Sequence, residues 1–178
     1  ARVVAQELLE QQVRRGRQAH GRPGMAVADL LDRVHRQHSG GVHRTIVGGC
    51  DSLVAVTLGT GIGGGIVLDG RLLRGANGFA GEPGHMVIDP DGPLCPCGQR
   101  GCWERYASGT GLGRLGREAA EAGQLSAVVE AVGGDPEAVR GDHVTAAALA
   151  GDDEALAVLD TFAGWVALGL ANLTNVLD

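Results

Sequence analysis

A short cysteine-rich segment, residues 81–104, constrains the fold of this chain more than any other stretch. One histidine and three cysteines fall within eighteen residues here, namely His85, Cys95, Cys97 and Cys102. A structural zinc ion is held by four such ligands in tetrahedral geometry, about 2.0–2.3 Å from the metal. Gly98 and Gly101 allow the backbone to turn sharply between the last two thiols. The pattern therefore predicts a loop that folds around structural zinc.

Disulfide bonds and buried free thiols are the alternatives to a metal in this segment. Three clustered cysteines leave one thiol unpaired, and we expect no secretory signal that would indicate an oxidising compartment. The fourth cysteine, Cys50, lies far from the cluster and is expected to be a small buried hydrophobe. A closed set of four ligands makes the metal structural rather than catalytic, and its binding would help to fold the loop.

Composition and charge exclude several classes of mechanism. All fifteen basic residues are arginine, so the sequence offers no lysine for a Schiff base or a Walker-type phosphate loop. The net charge of −6 argues against non-specific binding to nucleic acid. No apolar run is expected to reach the roughly 18–20 residues that span a bilayer. We therefore expect a cytoplasmic protein with no membrane segment.

Residues 1–49 carry little functional signal and are interpreted as a helical segment of unclear role. Apolar residues with helical spacing predict a helix near residues 26–36, and another is expected over residues 3–15. Arginines at 14, 15 and 17 are interpreted as a solvated helix end rather than a nucleic-acid patch. The functional motifs all lie in the second region, residues 50–178.

A glycine-rich segment joins two predicted strands early in this second region. Residues 53–58 and 66–68 are apolar and rich in β-forming residues, and the Asp69-Gly70 pair after them is a hairpin signature. Between the two runs lies GTGIGGG, residues 59–65. Such a turn exposes backbone N–H groups to an anion at close range. We predict that it grips phosphate, with a purely structural turn as the alternative.

The same glycines match the G-x-G-x-x-G dinucleotide fingerprint, but their context differs from that of a dinucleotide fold. A helix must open directly after the glycines in such a fold. Here a second strand and a further turn follow instead. The match is therefore not interpreted as a dinucleotide site.

The chain is predicted to be helical after Glu104. Four helices are expected, over residues 110–122, 125–132, 146–150 and 154–176. Their candidate N-caps are Ser108, Thr145 and either Asp152 or Asp153. The last helix is apolar on nearly two faces, so we expect it to be buried between layers.

The cysteine-rich segment and the glycine-rich segment together resemble the ROK family of repressors, open reading frames and sugar kinases. The matching stretches are LGTGIGGG at 58–65, GEPGH at 81–85, CPCGQRGCWE at 95–104, YASG at 106–109 and LGLANLTNVLD at 168–178. The resemblance covers residues 50–178, and the zinc signature is its most specific part. It implies the actin-like, ribonuclease-H-type ATPase fold, an α/β fold of which this region would form mostly the C-terminal lobe.

The resemblance also implies an activity, ATP-dependent phosphorylation of a hexose, with glucose converted to glucose 6-phosphate as the favoured reaction. ATP with Mg²⁺ would be held by Gly59, Thr60, Gly61 and Gly63. Sugar hydroxyls would contact Glu82, His85 and Glu104, while His85 and the three clustered cysteines would bind structural zinc. Two roles for His85 are compatible because one imidazole nitrogen can ligate a metal while the other donates to a sugar oxygen. Kinases of this family are commonly homo-oligomers.

Three parts of the family pattern are missing from this sequence. They are a first phosphate loop of Asp-x-Gly-Gly-Thr type, a catalytic Asp directly after Asn, and a strand with a Gly-Gly turn beyond Asp178. Only Asp29, Asp32 and Asp51 precede the glycines, and none follows an asparagine. Phosphoryl transfer needs positioning, a base and charge stabilisation together. We therefore assign no catalytic residue and expect a fragment that is inactive alone. The alternatives are a sugar-sensing transcriptional repressor of the same family or an inactive sugar-binding remnant.

Overall fold

The structure is a computed structural model that describes residues 51–177, so the expectations for Cys50 and for helices within residues 1–49 lie outside the described residues. The elements of the described part are β1 (Leu53–Leu58), β2 (Ile62–Leu68), β3 (Arg71–Leu72), α1 (Glu104–Ala107), α2 (Gly109–Glu121), α3 (Ser126–Ala131), α4 (Gly141–Leu149) and α5 (Asp153–Leu177). Short 3₁₀ turns lie at Pro83–His85 and Pro136–Ala138. This is an α/β arrangement, as predicted.

The described chain divides into two compact units. The first holds residues 51–57 together with Gly63–Glu82, and the second holds Leu58–Ile62 together with residues 83–177. The predicted division at residues 49 and 50 stays a prediction, because that boundary lies outside the described residues.

The first unit contains a three-stranded sheet in the order β1-β2-β3. Strands β2 and β3 are antiparallel, with Val67 opposite Leu72 and Leu68 opposite Arg71. Asp69 and Gly70 between them have φ of 50° and 71°, the left-handed values that a two-residue hairpin turn requires. The hairpin predicted from the Asp-Gly pair is therefore confirmed.

The glycine-rich segment is shorter as a turn than the sequence predicts. Strand β2 begins at Ile62, so three of the glycines, residues 63–65, are strand residues. A Cβ added at Gly63 would lie 3.2 Å from the Thr57 hydroxyl, which donates to the Gly63 carbonyl oxygen at 3.4 Å. Glycine here allows a close approach between neighbouring strands, and only residues 59–61 are left to form the turn.

The second unit is built on helices α2, α4 and α5, which pack against one another. Its core consists of small and aliphatic side chains from these helices, from α3 and from the connecting segments: Leu112, Ala119, Ala120, Leu125, Val128, Val139, Val144, Ala148, Ala155 and Val158. Leu112 and Ala119 of α2 are buried, and Leu115 packs against the same core. An aromatic-poor sequence thus forms an aliphatic core.

Two N-cap predictions are confirmed and one is wrong. Ser108 Oγ accepts from Gly111 N at 3.1 Å, and Asp152 Oδ1 accepts from Ala155 N at 2.8 Å. Thr145 caps nothing, because α4 already begins at Gly141 and the Thr145 hydroxyl donates to the Gly141 carbonyl oxygen at 2.9 Å. A threonine inside a helix commonly makes this bond to the preceding turn, so its presence alone did not mark a helix start.

The expected burial of the last helix is wrong for the described part of the chain. Of the residues in α5, Ala155, Val158 and Gly169 are buried, while Leu156, Leu168 and Val176 are 45%, 40% and 78% exposed. Its mean hydropathy reaches 1.6 over 18 residues, so by length and composition α5 could cross a membrane, contrary to the expectation from the sequence. Core helices of water-soluble proteins meet the same criteria.

Candidate functional site

Four side chains that can ligate a metal converge in the second unit. One ligand atom from each of His85, Cys95, Cys97 and Cys102 lies within 4.8 Å of the others. Cys95 Sγ is 3.7 Å from His85 Nδ1, and Cys97 Sγ is 3.5 Å from Cys102 Sγ. Ligands of a tetrahedral zinc ion stand about 3.8 Å apart when the metal–sulfur bonds are about 2.3 Å. The donor set and its spacing therefore fit tetrahedral zinc.

The three thiols differ in exposure and in acidity. Cys95 and Cys102 are buried, whereas Cys97 is exposed. Burial, together with hydrogen bonds from Cys97 and Cys95, raises the pKa of Cys102 to about 12. Burial also raises the pKa of Cys95, whereas a backbone hydrogen bond at Gln99 lowers the pKa of Cys97. Because thiols ligate a metal as thiolates, metal binding to this cluster would release protons and would be favoured by rising pH.

The backbone of the metal loop, defined as residues 83–102, is ordered by short-range contacts. Cys95 N donates to Gln99 O at 2.8 Å, and Gly98 N donates back to Cys95 O at 2.9 Å. Gly98 and Gly101 have φ of 93° and 64°, in the left-handed region that favours glycine. The two glycines thus form the sharp turns that the sequence predicts between the second and third thiols.

Glu104, the first residue of α1, lies directly beside the metal cluster, the group formed by the side chains of His85, Cys95, Cys97 and Cys102. Its Oε1 is 3.7 Å from His85 Nδ1 and accepts from Cys95 Sγ at 3.3 Å. Its Oε2 faces the other way, because a Cβ added at Gly61 would lie 2.8 Å from that oxygen. The carboxylate therefore stands between the metal cluster and the glycine turn, residues 59–61, with its side chain 19% exposed.

The glycine turn is anchored to the start of α2. Gly109 N donates to Gly59 O at 2.7 Å, and the Thr110 hydroxyl donates to Thr60 O at 2.7 Å. Gly59 N also donates to Gly61 O at 2.9 Å within the turn. These contacts fix the turn beside Glu104.

The structure thus brings together most, but not all, of the predicted site residues. The second unit holds the four metal-ligating residues, Glu104 and the turn at residues 59–61. Gly63 and Glu82 are described with the first unit, where Gly63 is a strand residue and Glu82 is exposed. Their assigned roles therefore stay predictions.

Sequence reasoning missed the residues that hold this site in place. Thr110 anchors a turn fifty residues away, a contact that no local pattern indicates. Trp103, next to Cys102, is fully buried and donates from Nε1 to the Trp165 carbonyl oxygen of α5 at 2.8 Å. A tryptophan adjacent to a ligand cysteine was the one signal available for that support.

Comparison with known proteins gives independent evidence about the family of this chain. The ROK family profile matches residues 44–178. A glucokinase of Streptomyces coelicolor is 42% identical over 129 residues, which are 71% of this chain and 41% of that protein. A glucokinase of Thermotoga maritima is also 42% identical, over 73% of this chain and 41% of its own length.

Solved structures of the same family are similar to the chain as well. A ROK family glucokinase from Streptomyces griseus, in complex with glucose and AMPPNP, is 40% identical with a TM-score of 0.66 over 72% of this chain and 42% of that one. The chain spans 41% of the length of the two glucokinase sequences compared above. Because the family profile covers most of the sequence, the chain belongs to the ROK family.

Proposed function

We propose that this chain supplies sugar-binding and phosphate-binding residues of an ATP-dependent hexose kinase of glucokinase type. The observation that carries the proposal is the position of Glu104, whose carboxylate stands between the metal cluster and the glycine turn. A carboxylate there can accept hydrogen bonds from sugar hydroxyls close to a phosphate-binding backbone. The similar S. griseus glucokinase, crystallised with glucose and AMPPNP, makes glucose and ATP the first ligands to test.

Each site residue has a distinct role in the proposal. The side chains of His85, Glu104 and Glu82 contact sugar hydroxyls. Backbone N–H groups at residues 59–61 and at Gly63 hold the phosphates of ATP, with Mg²⁺ bound to the nucleotide. Because no catalytic base has been identified in this sequence, we expect the 178 residues alone to bind ligands without appreciable phosphoryl transfer.

Zinc is proposed as the resident metal, held by His85, Cys95, Cys97 and Cys102. A bound zinc ion would cross-link the metal loop and fix the orientation of the imidazole. With one ring nitrogen on the metal, the other can donate to a sugar oxygen. The proposed role of the metal is therefore structural, and the chemistry toward the sugar belongs to His85 and Glu104.

A sugar-responsive transcriptional repressor is the second candidate function. A ROK family transcriptional regulator, a homologue of the E. coli Mlc protein, is 31% identical with a TM-score of 0.62 over 75% of this chain and 33% of that one. A repressor would use the sugar site without ATP. Binding of nucleotide therefore distinguishes the two candidates.

The proposal places the protein in the cytoplasm, without a membrane segment, as a homo-oligomer and with the actin-like fold of the family's kinases. Three free cysteines within one metal-ligating cluster suit a reducing compartment, because oxidation would remove the thiolate ligands. Glycolysis would be the setting of a glucose-phosphorylating enzyme.

Calorimetric titration of the zinc-loaded chain with glucose and with Mg²⁺–AMPPNP tests the proposal. We expect saturable binding of both, with glucose affinity at least tenfold weaker in Glu104→Gln. The matched control is Glu130→Gln on α3, where an exposed glutamate lies outside the candidate site. Glucose binding without nucleotide binding would favour the repressor. Absence of glucose binding, or an unchanged affinity in Glu104→Gln, would contradict the proposed site.

A further inference from the structure

Asp89, in the metal loop between the first and second ligands, accepts hydrogen bonds at three oxygen atoms. Its Oδ2 accepts from the Tyr106 hydroxyl at 2.5 Å, and its Oδ1 accepts from Asp91 N at 3.1 Å. Its carbonyl oxygen accepts from Gly92 N at 3.0 Å. The Asp89 turn is therefore tied both to itself and, through Tyr106, to helix α1.

Tyr106 is a fixed anchor for this contact. It is 5% exposed, its ring centroid lies 4.4 Å from that of Trp165, and the Arg114 guanidinium lies 4.9 Å from the Tyr106 centroid. Burial, followed by the hydrogen bond with Asp89, raises the pKa of Tyr106 to about 12. The hydroxyl therefore keeps its proton and donates to Asp89 throughout the physiological pH range.

The backbone around Asp89 sets the position of the last thiol ligand. Ile88 N donates to Gly101 O at 2.9 Å, and Asp89 N donates to the same oxygen at 3.4 Å. Gly101 lies so close to the Asp89 carbonyl group that a Cβ there would overlap it. Val87 and Cys102 form an antiparallel bridge one step further along. A shift of the Asp89 turn would thus move the backbone that carries Cys102.

We propose that Tyr106 and Asp89 are positioning residues for the metal site, since their hydrogen bond holds the Asp89 turn against Gly101 and so fixes the spacing of His85 and Cys102. Neither is one of the four ligands. The inference rests on the proposed zinc site, but it assigns these two residues a role separate from sugar or phosphate binding.

Zinc affinity of the full 178-residue chain, measured by competition with a chromophoric chelator, is the primary test. Removing a group that orients a metal ligand typically weakens metal affinity about 10–100-fold. We expect a loss in that range for Tyr106→Phe, which keeps the ring contacts with Trp165 and Arg114. Asp89→Ala should lose a similar amount, and the double variant should lose little more than either single variant because both remove the same hydrogen bond.

Cobalt substitution provides a readout of geometry that does not depend on activity. The absorption bands of Co²⁺ bound to thiolates report on how tetrahedral the site is. We expect the Tyr106→Phe spectrum to differ from that of the unsubstituted chain, and Asp89→Asn, which keeps an oxygen acceptor, to fall between them. Glu154→Ala is the control, because it removes the carboxylate oxygen that accepts from Leu125 N at 2.7 Å, outside the metal loop.

The outcomes separate this inference from the zinc proposal. Tight zinc binding by the unsubstituted chain with equal affinity in Tyr106→Phe and Asp89→Asn would overturn the inference and leave the zinc site standing. An equal loss in Glu154→Ala would also overturn it, because the effect would then be general destabilisation. No zinc binding by the folded unsubstituted chain would overturn both. Should Tyr106→Phe fail to fold, the milder Asp89→Asn decides the question.

Discussion

The metal loop and helix α5 are both predicted from the sequence, but the structure agrees with the predicted convergence of the loop and not with the predicted burial of the helix. The four candidate ligands lie within eighteen residues of sequence, and their ligand atoms lie within 4.8 Å of one another. Helix α5 has the length that its pattern predicts, but it presents Leu156, Leu168 and Val176 to solvent in the described part of the chain. The candidate ligands of the first region are close together in sequence, so their convergence could be predicted, whereas the surroundings of α5 depend on tertiary packing.

Trp103 connects the metal loop to α5. Trp103, next to the ligand Cys102, is fully buried against Gly169 of α5 and donates to the Trp165 carbonyl oxygen. The part of α5 that supports the metal loop is therefore covered, while neighbouring positions such as Leu168 are exposed. Substitutions at this contact should therefore affect both α5 and the metal loop.

Removal of a metal ligand should have the largest effect. Binding of structural zinc contributes about 10–16 kcal/mol in small zinc domains, so Cys102→Ser should abolish the rise in Tm that zinc gives the unsubstituted chain. Thermal unfolding with and without zinc, alongside metal analysis, measures this. Cys50→Ser, which changes the cysteine that is not one of the four proposed ligands, should keep one zinc per chain. Full zinc content in Cys102→Ser would contradict the assigned ligand set.

Alanine substitutions at two glycines of α5 should change the free energy of unfolding in opposite directions, by less than the loss of a metal ligand does. A Cβ at Gly169 would overlap the Trp103 ring, so Gly169→Ala should destabilise the fold by about 1–3 kcal/mol. Gly164 on the same helix has open space at that position, so Gly164→Ala should stabilise by about 0.5–1 kcal/mol. Urea unfolding measures both values. Equal responses would mean that α5 does not support the metal loop through Trp103.

The titration of Tyr106 tests how firmly the metal loop is held. It is the one tyrosine of the chain, so tyrosinate absorbance reports it alone. The pKa is raised to about 12 from 10.0 by burial and by Asp89. The stability that this group contributes is therefore present below pH 10 and is lost as the pH rises through 12. Asp89→Asn should lower the pKa part of the way, while an ordinary pKa in the unsubstituted chain would contradict a buried, bonded hydroxyl.

The smallest effect is expected at the exposed end of α5. Val176→Thr changes a side chain that is 78% exposed, so the free energy of unfolding should change by no more than about 0.5 kcal/mol. Val158→Thr, the same substitution at a buried position of the same helix, should destabilise measurably because it buries a hydroxyl. A large loss at Val176 would show that this face is covered in solution.

The contrast also explains how much the sequence could predict. The Asp69-Gly70 turn and the Ser108 cap each depend on neighbours within a few residues, and the four candidate ligands lie within eighteen residues of sequence; the structure contains all three features. Gly141, the first residue of α4, lies instead in close contact with α2, since a Cβ there would lie 2.7 Å from the Gly109 carbonyl oxygen. No periodicity reports such a contact.

In the candidate site, too, some features could be predicted from the sequence and others depend on tertiary packing. The convergence of the four candidate ligands could be predicted from residue type and spacing, whereas the hydrogen bond between Tyr106 and Asp89 joins residues seventeen positions apart. The approach of Glu104 to Gly61 likewise crosses more than forty residues of sequence. Such contacts follow from tertiary packing, which resemblance and pattern do not supply.

The most direct test of the central claim, that a metal-organised loop positions the sugar-binding residues, is calorimetric titration of the chain with glucose before and after removal of zinc. We expect saturable binding by the zinc-loaded chain and at least tenfold weaker binding once a chelator has removed the metal, with full recovery when zinc is restored. Equal glucose affinity in both forms would contradict the claim, because the metal loop would then have no part in placing His85 and Glu104.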